Sequence, residues 1–248
     1  MKVITNADDL GECTGTNNAI FDLMAEGLLT SATILANAPG TEEACRRTIH
    51  FPNCSFGVHL NLTEFRPLAP GHDLVELVDG CGNFSGKIRT VSHLERLRAG
   101  IFEELSAQIG RIRSRGVDIS HLDSHHHVHT IPILLPVLRA LLRRFDIPKV
   151  RISKNLYSLS DDRGPVMRLK KNTYNMVLRK FAAARTTDLF TDLAGFQDHR
   201  PTLERRNKTV EIMLHPGGPE GEGEARGLRN AIDHTACTKK CLVSYRGF

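Results

Sequence analysis

Residues 31–63 read SATILANAPGTEEACRRTIHFPNCSFGVHLNLT. The stretch opens on a short apolar run, SATILAN (31–37), and turns through Pro39 and Gly40 into TEEACRRTIHF (41–51), which reads as a helix capped by Thr41. It closes on SFGVHLNLT (55–63), where Phe56, Val58, Leu60 and Leu62 alternate with Gly57, His59, Asn61 and Thr63, the period of a strand. Strand, helix and strand in so short a span argue for a parallel sheet or barrel rather than a sandwich. The alternation also puts His59 and Asn61 on one face.

The same rhythm continues on both sides. KVITNA (2–7) is a β-rich run ending at Asp8 and Asp9, and Thr16 to Gly27 reads as a helix with Ile20, Leu23 and Met24 on one side and Gly27 as its stop signal. Downstream, 92–116 predicts a long amphipathic helix, VDISHLD (117–123) a strand, 131–146 a helix opened by Pro132, KVRIS (149–153) a strand, 164–185 a helix, and TVEIMLH (209–215) a late strand with His215 at its end. PGGPEGEGEARG (216–227) reads as a loop. From Glu64 to Thr90 the periodicity fails among prolines and glycines, and such a long excursion is expected to cover a substrate.

Composition sets further bounds. With 248 residues, 40% of them hydrophobic, the chain is long enough for one core, and we expect a single domain over 1–248. No apolar run approaches the roughly eighteen residues of a membrane span, and the N-terminus lacks the apolar region of a signal peptide, so a cytoplasmic protein with no membrane partner is expected. The six cysteines are scattered and expected to be free thiols, Cys237 and Cys241 giving only a loose CxxxC spacing. The formal charge is +5, yet the basic residues are spread along the helices, and with no Trp and 6% aromatics a nucleic-acid partner is not expected.

Three polar clusters fall at the ends of predicted strands: Asp8 with Asp9, His59, and HLDSHHHVH (121–129). In parallel α/β folds those ends converge on one face. A carboxylate with two imidazoles leaves open positions around a divalent ion and suits a catalytic metal. Taken singly, each cluster is ordinary: His59 would be a core histidine and either aspartate a helix cap. If the segment is extended, His125, His127 and His129 share a face, and spacing does not choose among them. Asp123 is placed to orient an imidazole.

These motifs resemble the YdjC/ChbG-type carbohydrate deacetylases, distant relatives of the polysaccharide deacetylases. The resemblance rests on TNADDLG (5–11), GLLTSATILANAP (27–39), FGVHLNLTEFRPL (56–68), HLDSHHHVHTIP (121–132) and EIMLHPG (211–217), in that order. It implies a distorted (β/α) TIM-like barrel and metal-dependent removal of acetyl groups from N-acetylated sugars such as chitooligosaccharides. Carried across, Asp9, His59 and His125 would be metal ligands, Asp8 the general base and His215 the general acid, with Mg2+ as the family's metal and Zn2+ equally suited by two imidazoles. Relatives form homodimers, which is carried here as an expectation only. After His215 the tail is shortened, although SYRGF (244–248) keeps the family's ending. The competing readings are a metal-dependent phosphoesterase on a similar barrel and a non-catalytic carbohydrate-binding relative.

Overall fold

A computed structural model describes residues 1–69, 72–233 and 241–248. Six strands, β1 (Lys2–Leu10), β2 (Ser31–Leu35), β3 (Ser55–Leu60), β4 (Ile119–Ser124), β5 (Leu189–Asp192) and β6 (Thr209–Leu214), form one sheet in the order β4-β3-β2-β1-β6-β5. Every pairing is parallel. The connecting helices are α1 (Thr14–Ala25), α2 (Thr41–Arg47), α3 (Arg98–Ser114), α4 (Leu135–Arg144), α5 (Pro165–Phe181), α6 (Leu193–Leu203) and α7 (Gly221–Asp233). Residues 149–156 run between the two edge strands. On the β4 side Leu122 N–H donates to the Lys149 carbonyl and the Leu122 carbonyl accepts from Arg151 N–H, and Asn155 and Leu156 donate to the Phe190 carbonyl of β5. The predicted strand at 149–153 is therefore a bridge rather than a ladder, and the architecture is a distorted TIM-like sheet that stops short of a closed barrel.

The strands bury polar and apolar positions alike. β2 and β3 are buried at every position, as a sheet covered on both sides requires. Gly57 shows how closely the layers approach, since a Cβ there would lie 2.6 Å from the His121 ring, which stacks on Tyr245 at 3.5 Å. Tyr245 brings the C-terminal segment into the sheet's lower end, where Val243 N–H donates to the Val3 carbonyl. Residues 241–248 thus pack against the sheet. Thr41 does not cap α2 as expected; Gly40 holds that position, and the Thr41 hydroxyl donates to the Leu35 and Ala38 carbonyls. Cys237 lies outside the described residues, and Cys13, Cys45, Cys54 and Cys81 are free thiols. Among the described residues no helix is long and apolar enough to cross a membrane.

The excursion after β3 is irregular, as expected, but it is not a detachable cover. Leu74, Leu77, Phe84 and Ile88 are buried in the main core. Shortening it between residues 70 and 86 would remove three of these side chains from the core, so such a deletion should cost stability. Phe84→Ala should cost about 3–5 kcal/mol, the usual loss for deleting a buried aromatic. Urea unfolding with an unchanged slope would check this figure.

Candidate active site

The carboxyl ends of β1, β3, β4 and β6 bring Asp8 and Asp9, His59, Asp123 with His125, and His215 to one face of the sheet. At Asp9 β1 breaks its ladder with β2, and the residue sits at φ 63°, a left-handed conformation that a non-glycine adopts only when its surroundings hold it there. The two aspartates therefore do not diverge by simple strand alternation. Asp8 turns into the barrel, where it is 2% exposed, and Asp9 turns toward the histidines.

Asp9 Oδ1 accepts from His125 Nδ1 at 2.8 Å and lies 3.2 Å from His59 Nε2. Burial would raise the Asp9 carboxyl, but these two imidazoles outweigh it and hold the group far below the usual carboxylate range. The second His59 nitrogen, Nδ1, donates to Asp123 Oδ1 at 2.7 Å. A carboxylate only accepts, so this bond fixes the tautomer and leaves Nε2 facing Asp9. Burial alone would lower the His59 pKa; Asp123, Asp8 and Asp9 override it and push the ring up to about 10. Asp123 thus orients an imidazole as expected, but it is His59 across the sheet rather than its neighbour His125.

The spacing left three histidines open, and the structure separates them. His126 and His127 both have positive φ, so the 125–130 turn is not extended and its odd-numbered side chains do not share a face. His129 points away, bonded to the Ser124 hydroxyl and the Arg151 carbonyl, with burial holding its pKa well below normal. Burial likewise lowers His127 to about 3. Only His125 joins Asp9 and His59, and the ligand atoms of these three lie within 4.8 Å of one another. The His125 Nε2 atom is buried without a hydrogen-bond partner, 3.5 Å from Glu64 Oε2. A carboxylate oxygen with two imidazole nitrogens converging at this range fits a divalent ion. An ion held there would take the place of the proton that His59 carries on Nε2.

Two consequences are measurable. Metal uptake by the chelated protein should release about one proton at neutral pH, which calorimetry in buffers of different ionisation enthalpy reads directly. The raised His59 pKa also stabilises the chelated fold fully below the ordinary value of 6.5, and that contribution is lost as pH rises through about 10. The melting temperature of the chelated protein should fall over that window.

Sequence reasoning missed Arg151. This side chain is fully buried and grips Asp8 with two nitrogens at 2.7 Å each, while also meeting Asp123 Oδ2 and Glu211 Oε1 at 2.7 Å. Burial opposes its charge, but three carboxylates hold it protonated. Against its own desolvation, Asp8 is in turn kept far below the carboxylate range by Arg151 and His59. An arginine between Val150 and Ile152 in a strand-like segment was the available signal, since such a charge is buried only when paired. His215 sits at the rim with its Nε2 3.9 Å from Asp8 Oδ2, and its backbone N–H donates to Glu224. Both ends of the excursion touch the same turn: Glu64 approaches His125, and Arg89 donates to the His126 carbonyl at 2.7 Å.

Fold and site together define a parallel α/β protein with a two-histidine, one-carboxylate cluster at its strand ends. The model of the YdjC-like protein family matches residues 2–241, and the chain belongs to that family. It is 33% identical over 220 residues to a carbohydrate deacetylase of Vibrio campbellii, covering 87% of this chain and 78% of the relative. With a carbohydrate deacetylase of Brevibacillus brevis it shares 39% identity over 149 residues, 60% of this chain and 58% of that one. The crystal structure of a proposed cellobiose-phosphate cleavage protein of Enterococcus faecalis V583 has the same fold, with a TM-score of 0.76 at 23% identity over 99% of this chain and 98% of the other. The expected family and fold agree with these relatives.

Proposed function

We propose that the chain, acting as one catalytic unit, is a divalent-metal-dependent hydrolase that removes acetyl groups from N-acetylated sugars of the chitooligosaccharide kind. The observation that carries this reading is the convergence of Asp9, His59 and His125 beside Asp8 and His215. Asp9, His59 and His125 would hold the ion, Mg2+ by family resemblance or Zn2+ by its two imidazoles. Bound there, it would supply Lewis acidity toward the amide oxygen and toward water.

The chain's own groups carry the protons. Asp8 takes one from the attacking water. The paired guanidinium of Arg151 keeps the carboxylate ionised and aimed, so Asp8 gives the proton up to water as acetate leaves and returns to its ionised form. His215, with its side chain 39% exposed at the rim, donates to the departing nitrogen as the C–N bond breaks. His215→Ala should therefore lose roughly 10²- to 10⁴-fold in turnover on an amide. An acetyl ester with an acidic phenol leaving group needs no such proton, and the variant should hydrolyse it nearly as fast as the parent. Equal loss on amide and ester would remove His215 as the acid.

Free acetate measured from the metal-loaded protein with a panel of N-acetylated sugars tests the reading. A phosphate ester belongs in the same panel, because Glu64 adds a carboxylate beside His125, and carboxylate-rich sites also suit phosphoesterases. Phosphate release without acetate would favour that alternative. Binding of sugars with neither product would leave a carbohydrate-binding protein.

A further inference from the structure

Helix α5 packs inward through Tyr174, Asn175 and Leu178, with the Tyr174 hydroxyl bonded to the His129 carbonyl of the site-bearing turn. The opposite face is apolar and uncovered. Val166, Leu169, Met176 and Val177 recur at helical spacing there, and Val166 and Leu169 are 66% and 67% exposed, as large hydrophobics on a solvated helix rarely are. Leu159, on the loop before the helix, is 80% exposed. The helix carries five cationic residues, Arg168, Lys170, Lys171, Arg179 and Lys180, and no acidic one. Arg168 and Arg179 are spent on backbone carbonyls, whereas Lys170 and Lys180 form no ion pair among the described residues.

We propose that α5 docks the protein on an anionic lipid surface, its apolar stripe entering the headgroup boundary and Lys170 and Lys180 meeting lipid charge. Charge selects this occupant over a second copy, since two such helices would bring cations against cations with no acid on the helix itself to relieve them. Shape agrees. The stripe is a convex ridge on one helix rather than a groove, and an apolar stripe flanked by lysines is the pattern of interfacial helices. Positive charge continues from α5 toward the site mouth through Arg89, which donates to the His126 carbonyl, while nearby Asp161 is paired with Lys154 and Arg163. A chain without a membrane-spanning segment was expected to have no membrane partner, but helical periodicity alone does not tell that this stripe faces outward.

The test is sedimentation of the full chain with vesicles of phosphatidylcholine alone or mixed with phosphatidylglycerol. Binding is expected only with phosphatidylglycerol and should weaken as salt is raised. Each lysine removed should lower the partition coefficient about fivefold, so K170Q combined with K180Q should lose about thirtyfold. Leu169→Ser with Met176→Ser should abolish binding with melting unchanged. No sedimentation with phosphatidylglycerol vesicles would overturn the proposal, whether the face then held an acidic polypeptide or a second copy. Variants that bind like the parent, or a solution dimer broken by Leu169→Glu, would overturn it equally.

Discussion

Asp8→Asn should retain metal and substrate binding and lose roughly 10²- to 10⁴-fold in turnover, the span of general base catalysis. The amide keeps the shape of the carboxylate and one acceptor oxygen for Arg151, but it cannot take a proton from water. Asp9→Asn differs in kind: it weakens a ligand, so added metal should restore part of its activity. The structure adds a condition on pH. Because Arg151 holds Asp8 ionised far into acid, the acid limb of the rate profile should not report Asp8. On the ester that spares His215→Ala, Asp8→Asn should still be slow. Rapid ester turnover by Asp8→Asn would remove it as the base.

Arg151→Met should destabilise the fold by about 3–5 kcal/mol, the usual result of removing one partner from a buried charge cluster. The substitution keeps the bulk of the side chain and leaves Glu211 without its cation and Asp8 and Asp123 with only the His59 ring and, for Asp8, His215 at the rim, the three carboxyls being fully or nearly fully buried. Glu211 is already under strain: burial raises its pKa despite Arg151 and the Tyr245 hydroxyl. With Arg151 gone, these carboxyls should bind protons more readily, so the variant's deficit should shrink toward low pH. Urea melts at neutral and acidic pH measure both effects, and a loss under 1 kcal/mol at neutral pH would show that the cluster relaxes.

Much of the fold was legible because β1 to β4 and β6 are apolar runs or alternations, and α1, α3, α4 and α5 carry clear helical periods. The omissions have physical reasons. β5 is only four residues long, too short for a period to show. α6 carries Pro201 inside it. α7 begins in a stretch read as a loop for its glycines, and its buried apolar side chains Leu228, Ala231 and Ile232 all fall in its second half. KVRIS has a strand's composition but lies where β4 and β5 approach without a shared ladder.

The candidate site was legible as a set of residue types at strand ends and not as a set of contacts. Asp9, His59 and His125 come together as the family resemblance implied. Strand alternation did not foresee the positive φ of Asp9, His126 and His127, which decides where each side chain points. Nor did it foresee that Asp123 serves His59, because the pairing of β3 with β4 sets His59 opposite Asp123. Arg151 comes from a segment with no other mark of function.

The account rests on one ion held by Asp9, His59 and His125 for amide hydrolysis. Its most direct test is titration of chelated protein with a divalent metal while acetate release from an N-acetylated chitooligosaccharide is followed. Acetate release should rise from near zero and saturate at one equivalent per chain, with His59→Ala and His125→Ala failing to saturate in the same range. Full acetate release by the chelated protein, or saturation at one equivalent in both variants, would contradict it.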